Sequence, residues 1–191
     1  MTIRIAVTAA VCIGVAWPVH GQGFTAVEIQ EALDAHNRAR CLVNPSASSM
    51  PPVTWDAALA RVAQGWAMRA TRFAHNPNRT RQYAQLGGVD AVGENLSLLS
   101  ASLASVPFVV GSWVSEQQTY TYHDVAAGDA KWSHYTQIIW AATRRVGCGK
   151  APRANSQVLY VCNYAPAGNV IGRTPYTAGQ GPNRSCSAGQ R

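Results

Sequence analysis

Acidic side chains are scarce in this 191-residue chain: nine Asp and Glu stand against sixteen Lys and Arg, a formal charge of +7. Charged residues make up only 13% of it and apolar residues 47%, a balance that excludes a disordered chain and fits one folded domain with a buried core. There is no Cys-x-x-Cys and no His-Glu-x-x-His, so no metal site announces itself by spacing. No internal repeat or low-complexity tract appears. The basic residues are dispersed (Arg72, Arg79, Arg81; Arg144, Arg145; Lys150, Arg153) with no interleaved aromatic platform, which argues against nucleic acid as partner.

What is present begins with an export signature. Arg4 supplies a positive start, Ile5 to Ala16 an apolar run, and Pro18 leads into Val19-His20-Gly21. The run is shorter than the ~20 residues of a membrane-spanning helix and reads as a secretory signal peptide over residues 1–21. Cleavage after Gly21 fits best, with Ala16 and Gly23 as alternatives. Cys12 follows Val11 rather than the small residue a bacterial lipid-attachment site needs. After processing no transmembrane segment is expected, and the protein is read as secreted, or periplasmic in a bacterium. Loss of Arg4 leaves fifteen basic and nine acidic residues, +6, which favours an anionic cell-surface component as partner.

Removing the signal leaves four cysteines, Cys41, Cys148, Cys162 and Cys186. An even count in an exported chain implies two disulfides, with three connectivities open. Thr25-Ala26-Val27-Glu28 has the form of a capping box and starts a helix that runs to about Arg40. Asn44-Pro45 and Pro51-Pro52 break it. A second helix after Thr54 carries Leu59, Val62, Trp66 and Ala70 on one face and ends before Pro77. Residues 78–92 read as loop. A third helix starts near Ser105-Val106-Pro107, a fourth carries His134, and Val146–Gly149 with Val158–Cys162 read as the last two strands. Helices beside a small sheet make an α+β fold.

Four segments carry more specific information. They are His36-Asn37-Arg38-Ala39-Arg40, Gly93-Glu94-Asn95-Leu96, His134-Tyr135-Thr136-Gln137-Ile138-Ile139-Trp140, and Leu159 through Val170 with Cys162-Asn163-Tyr164 and Gly168-Asn169 inside it. In this order they resemble the signature segments of the CAP superfamily, the cysteine-rich secretory, antigen 5 and plant pathogenesis-related group 1 proteins. The resemblance runs from about Glu28 to about Tyr176. It implies an α-β-α sandwich, a small antiparallel sheet flanked by about four helices, over residues 22–176, with 177–191 as a short tail. It pairs Cys148 with Cys162, which leaves Cys41 for Cys186.

The resemblance also implies a cleft holding His75, Glu94, Glu116 and His134 as ligand-binding residues. His75 and His134 are the candidate metal ligands. Zinc is the cation such imidazoles take, with a carboxylate orienting the second ring nitrogen, and no cofactor is obligatory. His36 and Asn37 are expected to support this cleft, Tyr135, Gln137 and Trp140 to line the core, and Asn163 and Asn169 to pin the turn after the last strand. Gly168 is expected where the backbone must be permissive. Ser133 beside His134 lacks a helper acid and is not read as a nucleophile. Among the glycosylation-type triplets, Asn95-Leu96-Ser97 lies inside a cleft motif and is a poor acceptor once folded. The reading is a non-enzymatic binding module, with a sterol or other lipid as ligand. The alternative is a metal-dependent secreted peptidase with Glu94 or Glu116 as general base. A third reading is charge-driven attachment to a cell wall or surface partner.

Overall fold

The computed structural model describes residues 23–179. The signal-peptide reading, the end of the tail and Cys186 lie outside the described residues. Helix α1 (Ala26–Cys41) starts at Thr25, whose hydroxyl accepts from the Glu28 amide while Glu28 reaches back to the Thr25 amide at 2.9 Å. Helix α2 (Ala57–Arg69) starts three residues later than Thr54 because Thr54–Trp55 forms a strand, β1, and Asp56 takes the cap. Asp56 Oδ1 accepts from the Ala58 and Leu59 amides at 2.8 and 2.9 Å. Strand β2 (Gly93–Ser100) comes next, and helix α4 (Val106–Val114), helix α5 (Ser133–Ile138) and strands β3 (Arg145–Arg153) and β4 (Gln157–Ala165) then follow in the expected order. Two 3-10 turns, Ser115–Thr119 and Asp129–Trp132, lead into α5.

Residues 79–84, expected as loop, form helix α3 (Arg79–Ala84). Only Tyr83 of its residues is buried, so the segment shows no apolar period; its hydroxyl donates to Asp56 Oδ2 at 2.8 Å, tying α3 to the start of α2. That makes five α-helices among the described residues, where about four were expected. The sheet is also mixed rather than wholly antiparallel. Its strand order is β1-β3-β4-β2, with β2–β4 and β3–β4 antiparallel and the two-residue β1 parallel to β3. So short a strand has no room for the alternation that marks a strand in sequence.

Alternation along β4 divides the molecule into layers. Tyr160, Cys162 and Tyr164 enter the larger core with Ala32 and Ala39 of α1, Val109, Val110 and Trp113 of α4, and Ile138 of α5. Leu159 and Val161 face Ala63 and Ala67 of α2, and Ala165 faces Leu59 and Val62. The result is an α-β-α sandwich. Cys148 and Cys162, directly opposed on β3 and β4, are joined by a disulfide on the larger-core face. On the other face of β3, Gly147 and Gly149 let α2 sit on the strand itself. A Cβ at Gly147 would lie 2.2 Å from Ala60 N and 2.5 Å from Asp56 O, and one at Gly149 2.4 Å from Gln64 Cα. Beyond β1 the outer edge of β3 is covered by Gln64, which accepts from Lys150 N at 2.9 Å and donates to Lys150 O at 3.0 Å.

Candidate functional site

Strand β2 is an outer strand of the sheet, and its first residues organise both halves of the candidate site. Glu94 points into the α2 layer. Its side chain is fully buried, which is tolerable because both oxygens are engaged. Oε1 lies 2.9 Å from His75 Nδ1 and accepts from Asn76 N at 2.9 Å. Asn163 stands opposite Glu94 in the register of β2 and β4; with its amide oriented by these neighbours it donates to Oε2 at 3.2 Å. Asn163 therefore sits within β4 and serves Glu94, rather than pinning the turn after the strand. The His75 side chain remains 59% exposed in the segment after α2.

Asn95, one residue on, points to the opposite layer. Its Nδ2 donates to the His134 carbonyl at 3.1 Å and to the Tyr164 hydroxyl at 3.2 Å. It is buried with its amide nitrogen bonded twice, which removes it as a glycosylation acceptor in the folded state. His134 begins α5; its Nδ1 lies 2.6 Å from Glu116 Oε1, and Glu116 Oε2 accepts from Tyr135 N at 3.0 Å. Trp113 stacks on the His134 ring, centroids 6.0 Å apart at 15°. The expected residues thus form two separate His–Glu pairs, one from each layer. Each carboxylate is fixed by a peptide N–H, and each orients its imidazole through Nδ1.

Residues further out hold this arrangement. His36 Nε2 meets the Tyr164 hydroxyl, and Asn37 clamps Val53 through both its N–H and its carbonyl at 2.8 and 3.1 Å. Gln137 is buried; it accepts from Gly168 N and donates to Thr143 Oγ1. Asn169 secures the turn after β4 to α5, donating to Ser133 O at 2.8 Å and accepting from Thr136 Oγ1 at 2.7 Å. The left-handed backbone falls at Asn169 (φ 57°), not at Gly168. Gly168 is needed for closeness instead: a Cβ there would lie 2.8 Å from Gln137 Nε2. The Ser133 hydroxyl donates to Ala130 O at 2.9 Å, away from a nucleophile's role.

Sequence reading missed Arg40, which looked like one more residue of a helix face. It is buried and donates to the carbonyls of Pro51, Ile138, Trp140 and Thr143. Burial, with the charge of Arg144 added, lowers its pKa to about 10, so it stays charged at neutral pH. Its partners lie about a hundred residues away in sequence for the α5 side, and no local pattern could name them.

The donor chemistry of the two histidines suits a divalent cation, since each Nδ1 is held by a carboxylate as in metal-bound imidazole. As side chains alone the donors fall short: among the described residues no three His, Cys, Asp or Glu are grouped to hold a metal ion, so water would have to fill the rest of its shell. Among the described residues no helix is long and apolar enough to cross a membrane.

Comparison with known proteins agrees with this architecture. GLIPR1-like protein 1 of Bos taurus is 36% identical over 155 residues, 79% of this chain and 64% of the relative. The Mus musculus protein of the same name is 37% identical over 163 residues, 83% of this chain and 66% of the relative. The chain therefore spans just under two thirds of the length of these relatives. The crystal structure of NaASP2 with Zn2+ superposes with a TM-score of 0.71 at 22% identity, covering 88% of this chain and 96% of that one, a likeness of fold. The CAP model, the cysteine-rich secretory protein family, matches residues 33–164, and this chain belongs to that family.

Proposed function

We propose that the chain is a secreted, non-catalytic binding module. The observation that carries this is the full engagement of both carboxylates. A general base must reach the proton it removes, and Glu94 has no exposed side-chain surface, while Glu116 spends one oxygen on His134 and the other on Tyr135 N. The Ser133 hydroxyl is turned to Ala130 O and is not offered as a nucleophile. The peptidase reading loses its base and is not favoured.

What the site offers a ligand is the Nε2 edge of His75 and of His134, each held in a fixed orientation. Such edges bind a polar head group or, with water completing the shell, a divalent cation such as zinc, the cation named in the NaASP2 structure. A depression of about 480 Å³ lined by Phe24, Ile29, Trp55 and Met68 offers an apolar surface for a sterol or other lipid. The excess of basic charge sets the sign of any surface partner as anionic. Export rests on the N-terminal signature and on membership of a secretory family.

The test is calorimetric titration of the chain from a secreting host with zinc and, separately, with a solubilised sterol, beside His75→Ala/His134→Ala. Zinc binding that the double variant loses, with no peptide hydrolysis, is the expected result. Hydrolysis of a generic peptide substrate that Glu116→Gln abolishes would overturn the non-catalytic reading.

A further inference from the structure

Between Ala57 and Val89 the chain contains five arginines and no acidic residue. The two carboxylates at the margins are already in use, Asp56 capping α2 and binding Tyr83, Asp90 paired with Arg145. This stretch is the α2–α3 layer. Arg79 is spent on the carbonyls of Val92 and Asn76. Arg61, Arg69, Arg72 and Arg81 are exposed and make no ion pair or side-chain hydrogen bond among the described residues.

Helical geometry gathers the charge. Positions 61, 65, 68 and 69 fall along one outward stripe of α2, and Arg72 follows in the bend after the helix. Gly65 sits in the middle of the stripe, and Arg69 folds back over it, its Nη1 2.9 Å from where a Cβ would be. Arg61 and Arg69 border a groove of about 200 Å³ against Gln82 and Leu86 of the α3 region. At the end of α2, Arg72 and Phe73 line a cavity of about 180 Å³ with Arg153, which also caps the Ala67 carbonyl.

Large apolar side chains stand out of the same layer. Met68 is 51% exposed, Phe73 58%, Leu86 38% and Val89 92%. A soluble sulfated glycan would be satisfied by the guanidinium groups alone and would gain nothing from them. A bilayer interface uses both, with phosphate oxygens taken by Arg and apolar side chains set into the acyl boundary.

We infer that the α2–α3 face docks on an anionic phospholipid bilayer, through Arg61, Arg69, Arg72 and Arg81 with Met68 and Phe73 as apolar anchors. The inference rests on the anionic-partner part of the proposed function and is independent of the His–Glu cleft. The protein lies on the membrane by this face, and the cavity beside Arg72 and Arg153 seats a single phosphate head group.

The experiment is co-sedimentation of the full chain, purified from a secreting host, with phosphatidylcholine vesicles containing roughly 30% phosphatidylglycerol, and with pure phosphatidylcholine. Binding is expected only to the anionic vesicles and is expected to fall steeply as salt rises from ~50 to ~500 mM. Arg69→Glu/Arg72→Glu should weaken it by roughly tenfold or more, and Met68→Ser/Phe73→Ser by roughly fivefold. All four side chains are exposed, so unchanged thermal unfolding certifies the fold of both variants. His75→Ala/His134→Ala should bind vesicles as the parent does, which separates this face from the cleft. Equal binding to neutral vesicles, or no binding to either, overturns the inference. Binding lost with the arginines but intact without Met68 and Phe73 also overturns it, in favour of general polyanion adhesion.

Discussion

His36 Nε2 lies 2.9 Å from the Tyr164 hydroxyl, and that contact sets the hydrogen-bond roles of a fully buried imidazole. His36 Nδ1 faces the Ala32 carbonyl at 2.7 Å and must donate, so Nε2 accepts from Tyr164. Tyr164 in turn accepts from Asn95, which also holds the His134 carbonyl. A neutral ring in helix α1 is thus joined by three hydrogen bonds in series to the backbone of the candidate site.

Burial lowers the His36 pKa to about 4, with the Arg40 charge adding to the shift. The unfolded chain takes up this proton near pH 6.5, so between about 6.5 and 4 the unfolded state binds more protons. The contribution of His36 is complete above 6.5 and is lost as pH falls through that window, on the order of 3 kcal/mol in all. Urea midpoints measured across pH 4–7 should rise with pH, and His36→Phe should flatten the slope. His36 ring resonances that titrate near 6.5 in the folded protein would refute the assignment.

His123 behaves in the opposite sense. Its Nδ1 meets the Thr121 carbonyl and its Nε2 lies 2.8 Å from Asp129 Oδ2. Those bonds, the backbone one foremost, raise its pKa. A raised histidine pKa stabilises the fold below about 6.5 and the contribution disappears as pH rises through the folded value. NMR titration should place His123 above an unfolded-chain histidine, and Asp129→Asn should bring it down.

Arg40→Met should cost on the order of 4 kcal/mol, because four buried carbonyls lose their donor while the side-chain volume is kept. In a domain of this size that is a fall of about 10 °C in Tm. Arg40→Lys should recover only part of it, since a single ammonium cannot span all four carbonyls. A loss below about 1 kcal/mol would mean that water replaces the guanidinium.

Gly147→Ala should destabilise by about 3 kcal/mol or more, because the new methyl meets helix backbone at Ala60 and Asp56, which cannot swing aside. Gly111→Ala is the matched control: nothing lies within 4 Å, and helix propensity should make it neutral or stabilising. Thermal melts of the two variants side by side decide the matter.

Legibility followed the range of the interactions. The α1 start was readable because a capping box is completed within three residues, and the β3–β4 hairpin because alternating apolar residues and two cysteines fall close together. Helix α3 was not, since a single buried tyrosine gives no period. Gly147 and Gly149 looked like ordinary strand residues, because the helix backbone that demands them comes from a segment almost ninety residues earlier. The pairing of His75 with Glu94 and of His134 with Glu116 has no signature in spacing. Only the order of whole segments pointed to those four residues, and that pattern names them without saying what they bind.

The placement of Glu94 and Asn95 on successive positions of an outer strand also bears on how the molecule assembles. A slip of β2 against β4 by one residue would turn every side chain to the other layer, sending a carboxylate into the tyrosine-lined core and an amide towards His75. His75 would then lose its carboxylate and the His134 carbonyl its amide donor, and a charge would be stranded in an apolar layer. The contacts of Glu94 with His75 and of Asn95 with the His134 carbonyl therefore act as a check on strand alignment during folding, and a misaligned chain is left with an incomplete site and a reason to unzip.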